Sequence, residues 1–128
     1  MEKINLGTQY LAEFYNCCKN TINDKDRIRE IMIEAAKIAK ATIVADIFHE
    51  FNPHGISGVV VIAESHIAIH SWPEHSCASV DIFTCSSDMS PEAAVEYLKA
   101  AFKAQKIEVR KIDRGVVGID ACVDEAIV

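Results

Sequence analysis

Between Ser57 and Thr84 the chain offers three strand-like runs in close succession. The first, Gly58-Val59-Val60-Val61-Ile62-Ala63, is apolar and β-branched, the pattern of a buried strand. From Ser65 the pattern alternates, so that Ser65, Ile67 and Ile69 share one face while His66, Ala68 and His70 share the other. Trp72-Pro73-Glu74-His75-Ser76 breaks that strand, and Ala78 to Thr84 resumes one. Val80, Ile82 and Thr84 then lie on one face and Asp81, Phe83 and Cys85 on the other. Strands linked this tightly pair antiparallel, which constrains the fold more than any other stretch.

The flanks supply the second layer. Leu6 to Tyr15 reads as a first strand. Asn23 or Asp24 can cap a helix whose apolar positions Ile28, Ile31, Met32, Ala35, Ala36 and Ala39 form one stripe, with Lys25, Arg29, Lys37 and Lys40 opposite. Thr42 to Phe51 is β-branched and aromatic, and Asn52-Pro53-His54-Gly55 supplies a turn, because Pro fixes φ and Gly permits positive φ. Ser90-Pro91-Glu92 starts a second helix with Ser at the N-cap and Pro at the first helical position, and Ala94, Tyr97, Leu98, Ala101 and Phe102 form its stripe. Ile107 to Ile112 is a last strand, followed by Asp113-Arg114-Gly115. The order β-α-β-β-β-β-α-β implies an α+β two-layer sandwich, a mostly antiparallel sheet with two helices on one face. Where the second face is also apolar, a homodimer stacking sheet on sheet is the economical way to cover it.

Size and charge limit the partners. A chain of 128 residues suits one domain with one core. A formal net charge of −6 and a pI near 5.3 argue against nucleic acid and against an anionic membrane, both of which require a cationic footprint. The longest apolar run is a strand's length, far short of a membrane span, and Met1 to Gly7 lacks a basic region followed by an apolar one. Five cysteines, Cys17, Cys18, Cys77, Cys85 and Cys122, make an odd number with no C-x-x-C spacing, which points to free thiols in a reducing cytoplasm. A small molecule is the expected ligand.

Chemistry concentrates in one window. All five histidines fall between Phe48 and Cys85, around Glu64-Ser65-His66 at the junction of two strands. Polar groups beside a core strand must find hydrogen bonds or cost roughly 1–3 kcal/mol each. His66 and His70 would be a metal pair on a helix, but on a strand they sit ~13 Å apart, so no metal site is expected. Cys85 at a strand end is by default a small buried hydrophobe, as are Cys17, Cys18, Cys77 and Cys122.

Four ordered blocks stand out: Phe48-His49-Glu50-Phe51, Gly55 to Val60, Glu64 to Glu74, and Val80-Asp81-Ile82-Phe83-Thr84-Cys85. Together they resemble the prokaryotic-type S-adenosylmethionine decarboxylases, self-processing and pyruvoyl-dependent enzymes of polyamine synthesis. The resemblance runs from Leu6-Gly7 and Ala12-Glu13-Phe14-Tyr15 through Asp113-Arg114-Gly115. It implies that the Ser65 hydroxyl attacks the Glu64 carbonyl and cuts the chain into residues 1–64 and 65–128, leaving a pyruvoyl group made from Ser65. That cofactor would form a Schiff base with S-adenosylmethionine and act as an electron sink, supplying decarboxylated product for spermidine.

By the same resemblance His70 is the base for processing, Cys85 the proton donor in catalysis, and Ser57 a second processing serine that polarises the carbonyl. Glu74 would hold the ribose hydroxyls, and Phe51 with His70 would sandwich the adenine. In such a dimer the site would draw residues from both protomers. Two positions depart from the family: Thr8-Gln9 stands where a basic residue and a histidine are usual, and His75-Ser76-Cys77 where a Gly-Tyr-like pair is expected. Because relatives use the same machinery on arginine or ornithine, those substrates stand as the alternative; an uncleaved, non-enzymatic binding module is a further one.

Overall fold

The computed structural model describes residues 3–118. The elements are β1 (Lys3–Tyr15), α1 (Lys19–Ile22), α2 (Lys25–Ile38), β2 (Ile43–Glu50), β3 (Ile56–Ile62), β4 (Ser65–Trp72), β5 (Cys77–Thr84), α3 (Pro91–Phe102) and β6 (Lys106–Gly118). The strands form one sheet in the order β2-β3-β4-β5-β1-β6, and every neighbouring pair is antiparallel. The expected α+β sandwich is the fold observed. β4, which begins at Ser65, lies inside the sheet.

Alternation decides which side is dry. Val60 and Ile62 of β3, Ile67 and Ile69 of β4, and Val80 and Ile82 of β5 are buried under the helices. The helix stripe read from the sequence meets them: Ile28, Ile31, Met32, Ala35 and Ala36 of α2 are buried, and Phe102 of α3 packs edge-on against Phe14 of β1 with ring centroids 5.4 Å apart. Each such large side chain contributes about 1.5–3 kcal/mol through removal from water. Asp24 caps α2, its carboxylate accepting from the Arg27 amide at 3.1 Å.

Among the described residues, no helix lies over the other side of the sheet. There Ile47 is 70% exposed, with Val61 and Trp72 also open to solvent, among His49, Ser57, His66 and His70. This is the second face of the sheet, for which a covering second copy is expected where it is apolar.

Three local expectations change. A four-residue helix, α1, precedes α2; it begins after Cys18 without a side-chain cap. β6 runs on through Asp113-Arg114-Gly115 instead of ending at Ile112, because the N-terminal half of β1 pairs with it from Gly7 opposite Arg114 to Lys3 opposite Gly118. Ser90 caps α3 with its main chain only: its carbonyl accepts from Ala93 and Ala94, while its amide donates to Ala39 at the end of α2. Cys122 lies outside the described residues.

Candidate active site

Two groups of chemically active side chains stand at opposite ends of β4. The first surrounds the two-residue turn Ala63-Glu64, which joins β3 to β4 through pairing of Ile62 with Ser65. Ser65 has φ +151°, a backbone region that is essentially glycine's and costs a residue with a Cβ about 1–3 kcal/mol. Neighbours hold this conformation in place. The Ala63 amide donates to the Thr42 carbonyl at 2.8 Å, and the Cys85 amide donates to the main-chain carbonyl of Glu64 at 3.2 Å. The Glu64 carboxylate accepts from the Thr42 amide at 3.0 Å and from the Thr42 hydroxyl at 3.1 Å. The bond from the Thr42 amide, chiefly, holds that carboxyl below its ordinary range.

The nucleophile has a basic neighbour. Ser65 Oγ lies 3.1 Å from His66 Nδ1, and the His66 ring packs near Phe83 with centroids 5.8 Å apart. Opposite Ser65, Thr84 ends β5 in a tight turn in which its hydroxyl donates to the Ser86 carbonyl and accepts from the Ser86 amide, at 3.1 and 3.0 Å. Cys85 sits within this turn, exposed and free. The peptide between Glu64 and Ser65 thus has a strained residue on one side, a polarised carbonyl on the other, and a hydroxyl beside an imidazole.

The second group lies at the far end of β4. Ser57 pairs directly with His70 across β3 and β4, and with His49 across β2 and β3. The Phe51 ring is 5.8 Å from that of His70 and 4.6 Å from that of His49, and His70 is 4.4 Å from Trp72. His54 Nε2 approaches Glu74 Oε1 at 3.2 Å, both half-exposed. Here Asn52-Pro53 is cis and Gly55 has φ +106°, as the expected turn requires, with the Phe51 amide donating to the Gly55 carbonyl at 2.8 Å. A shallow groove of about 380 Å³ runs from Ile47 and His49 over Ser57 and Val59 to Ala68.

Of the residues singled out in the sequence, Glu64, Ser65 and Cys85 therefore meet, and Phe51, Ser57 and His70 meet, but the two groups do not touch. Five residue steps of extended chain separate Ser65 from His70, roughly 16 Å. Ser57 donates nothing to the Glu64 carbonyl within one chain; the Cys85 amide does. Phe51 and His70 are tilted 46° and contact each other, so one chain does not present them as two plates with a gap between. Sequence reasoning passed over Thr42, the Cys85 amide and the role of His66; only the last had a signal, its place beside Ser65. A separate concavity of about 430 Å³ lies over β1 and β6, lined by Glu13 and Glu108 among others.

The self-made pyruvoyl group fits the residues present. Its precursor hydroxyl, the adjacent imidazole, the polarised carbonyl and the strained φ are all at the Glu64–Ser65 bond. No helix among the described residues is long and apolar enough to cross a membrane.

Comparison with known proteins gives the family and the fold. The family model for S-adenosylmethionine decarboxylase matches residues 8–115. The S-adenosylmethionine decarboxylase proenzyme of Acidithiobacillus ferrooxidans is 48% identical over 112 residues, 88% of this chain and 84% of that one. The proenzyme of Pyrococcus horikoshii is 45% identical over 111 residues, 87% of this chain and 80% of that one. The crystal structure of the adenosylmethionine decarboxylase from Aquifex aeolicus superposes with a TM-score of 0.83 at 35% identity, covering 91% of this chain and 97% of that one. With the family model matching residues 8–115, relatives 45–48% identical over nearly nine-tenths of the chain, and the fold shared with the Aquifex aeolicus structure, the chain belongs to the S-adenosylmethionine decarboxylase family.

Proposed function

We propose that this protein is a proenzyme that cuts itself between Glu64 and Ser65 and then decarboxylates S-adenosylmethionine for polyamine synthesis. The observation that carries the reading is the Glu64–Ser65 junction: Ser65 at φ +151°, its Oγ 3.1 Å from an imidazole nitrogen, and the preceding carbonyl bonded to an amide.

The chain's own groups account for the cut. As Ser65 Oγ attacks the Glu64 carbonyl carbon, its proton passes to His66 Nδ1, and negative charge builds on the carbonyl oxygen held by the Cys85 amide. The C–N bond breaks, the released nitrogen takes the proton, and an ester replaces the amide. Removal of the Ser65 α-proton expels Glu64 as a carboxylate. The resulting dehydroalanine tautomerises and takes up water, losing ammonia and leaving a ketone at the head of residues 65–128. Bound to the chain, that pyruvoyl ketone supplies an electron sink for decarboxylation. Cys85, exposed next to the cut, returns a proton to the substrate carbon.

His70 as the base for the α-proton, and Ser57 beside it, act from a second protomer. A two-fold axis between stacked open faces, crossing β4 near Ala68, lays the Ser57–His70 end of one chain over the Ser65–Cys85 end of the other. It also covers Ile47, Val61 and Trp72. Phe51 and His70 then offer aromatic faces to adenine and the sulfonium, and Glu74, held by His54, offers oxygens to the ribose. The described free thiols suit a reducing cytoplasm. The test is carbon dioxide release by the self-cleaved protein given S-adenosylmethionine, arginine or ornithine: release from S-adenosylmethionine is expected, and release from only one of the amino acids refutes the substrate.

A further inference from the structure

The turn that carries the reactive peptide is tied to one residue outside the groups assigned a chemical step. Thr42, in the link between α2 and β2, contacts the turn three times: its carbonyl accepts from the Ala63 amide, and its amide and hydroxyl each donate to one oxygen of the Glu64 carboxylate. On the far side the Cys85 amide grips the Glu64 main-chain oxygen. Glu64 is thereby fixed through its side chain and through the carbonyl that must be attacked, and the next residue is the strained one. A two-residue turn with a free glutamate could relax its ψ and let Ser65 fall back to an ordinary extended φ, taking the carbonyl away from the hydroxyl. The anchoring contacts oppose that relaxation.

We infer that Thr42 is a positioning residue for self-cleavage: by clamping the Glu64 carboxylate it holds the Glu64 carbonyl in reach of the Ser65 hydroxyl. The inference rests on the self-cleavage proposed above. It separates two stages, because after the cut Glu64 ends its own fragment and no longer bears on residue 65. Thr42 should therefore govern the rate of maturation and leave turnover by mature enzyme untouched.

The experiment follows the splitting of freshly synthesised full-length chain by denaturing electrophoresis, for the parent, Thr42→Val and Thr42→Ser. Valine keeps the shape and both main-chain contacts but removes the hydroxyl donor; serine keeps the donor. Thr42→Val is expected to split about three- to tenfold more slowly, the loss of one hydrogen bond to a charged acceptor at an exposed site. Thr42→Ser is expected to split at the parental rate, and carbon dioxide release per mole of pyruvoyl group is expected to be equal in all three. Parental splitting by Thr42→Val overturns the inference, as does slow splitting by Thr42→Ser, which also decides the matter should valine disturb folding. Lowered turnover per pyruvoyl group in the mature valine variant overturns it too. A parent chain that never splits refutes the self-cleavage reading instead.

Discussion

Two variants that each remain whole should complement one another. Ser65 and His70 stand on the same strand, five residue steps of extended backbone apart, roughly 16 Å, whereas proton transfer needs about 3 Å between heavy atoms. His70 can therefore act on Ser65 only from a second chain. Ser65→Ala supplies His70 without a nucleophile, and His70→Ala supplies Ser65 without that base, so each expressed alone should stay uncut. Co-expressed in equal amounts with random pairing, about half of the His70→Ala chains face a Ser65→Ala partner. At those interfaces one of the two sites has both groups and the other has neither. About half of the His70→Ala chains should then split, and none of the Ser65→Ala chains. Different tags on the two chains, resolved by denaturing electrophoresis, give the count directly. Absence of splitting in the mixture would refute the shared site, as would complete splitting of His70→Ala alone.

Other perturbations bear on single steps. Cys85→Ser should still split, since the Cys85 contribution to the cut is a main-chain amide, but carbon dioxide release should fall by about 10²–10⁴-fold, because a hydroxyl is a far weaker acid than a thiol; parental release would remove Cys85 from catalysis. Gly58→Ala should destabilise the fold by about 1–3 kcal/mol in denaturant melts, because a Cβ there would enter the Phe48 ring on the neighbouring strand. The Glu64 carboxyl has its folded pKa lowered, chiefly by the Thr42 amide. The sign follows: the clamp is complete above the ordinary carboxyl pKa and is lost as pH falls through the lower folded value. Splitting should therefore slow on acidification in the parent, and an equal pH profile for Glu64→Gln would contradict the clamp.

Much of the fold could be read from side-chain period alone. The alternation from Ser65 to Trp72 assigns Ile67 and Ile69 to the core and His66 and His70 to the open face, and the burial follows it. α2 was equally plain, because its stripe spans four turns and Asp24 marks the start. α1 was not, since four residues are too few to display a helical period and no side chain caps them. The end of β6 was hidden for a different reason: Asp-Arg-Gly resembles a turn, and Gly115 does have φ +62°, but pairing with the N-terminal half of β1, from Gly7 opposite Arg114 to Lys3 opposite Gly118, pulls the strand through. That is tertiary pairing overriding local preference.

The site was legible in type more than in place. Ser65, Glu64 and Cys85 could be named from their blocks, but the strain at Ser65 and the amide on the Glu64 carbonyl are properties of backbone geometry, which side-chain identity does not encode. Thr42 lies 22 positions before Glu64 and looked like the start of a strand; only closure of the β3–β4 turn onto the end of α2 brings it to the carboxylate. Ser57 and His70 are paired with each other by the β3–β4 register, which the sequence pattern does not specify, and the same register removes both from Ser65 of their own chain.

Intact mass of the purified protein tests the central claim most directly. The account predicts two polypeptides of 64 residues each, the second blocked to N-terminal sequencing and lighter than a serine-headed fragment by the mass of one ammonia. A single uncut chain that retains an ordinary serine at position 65 would contradict it.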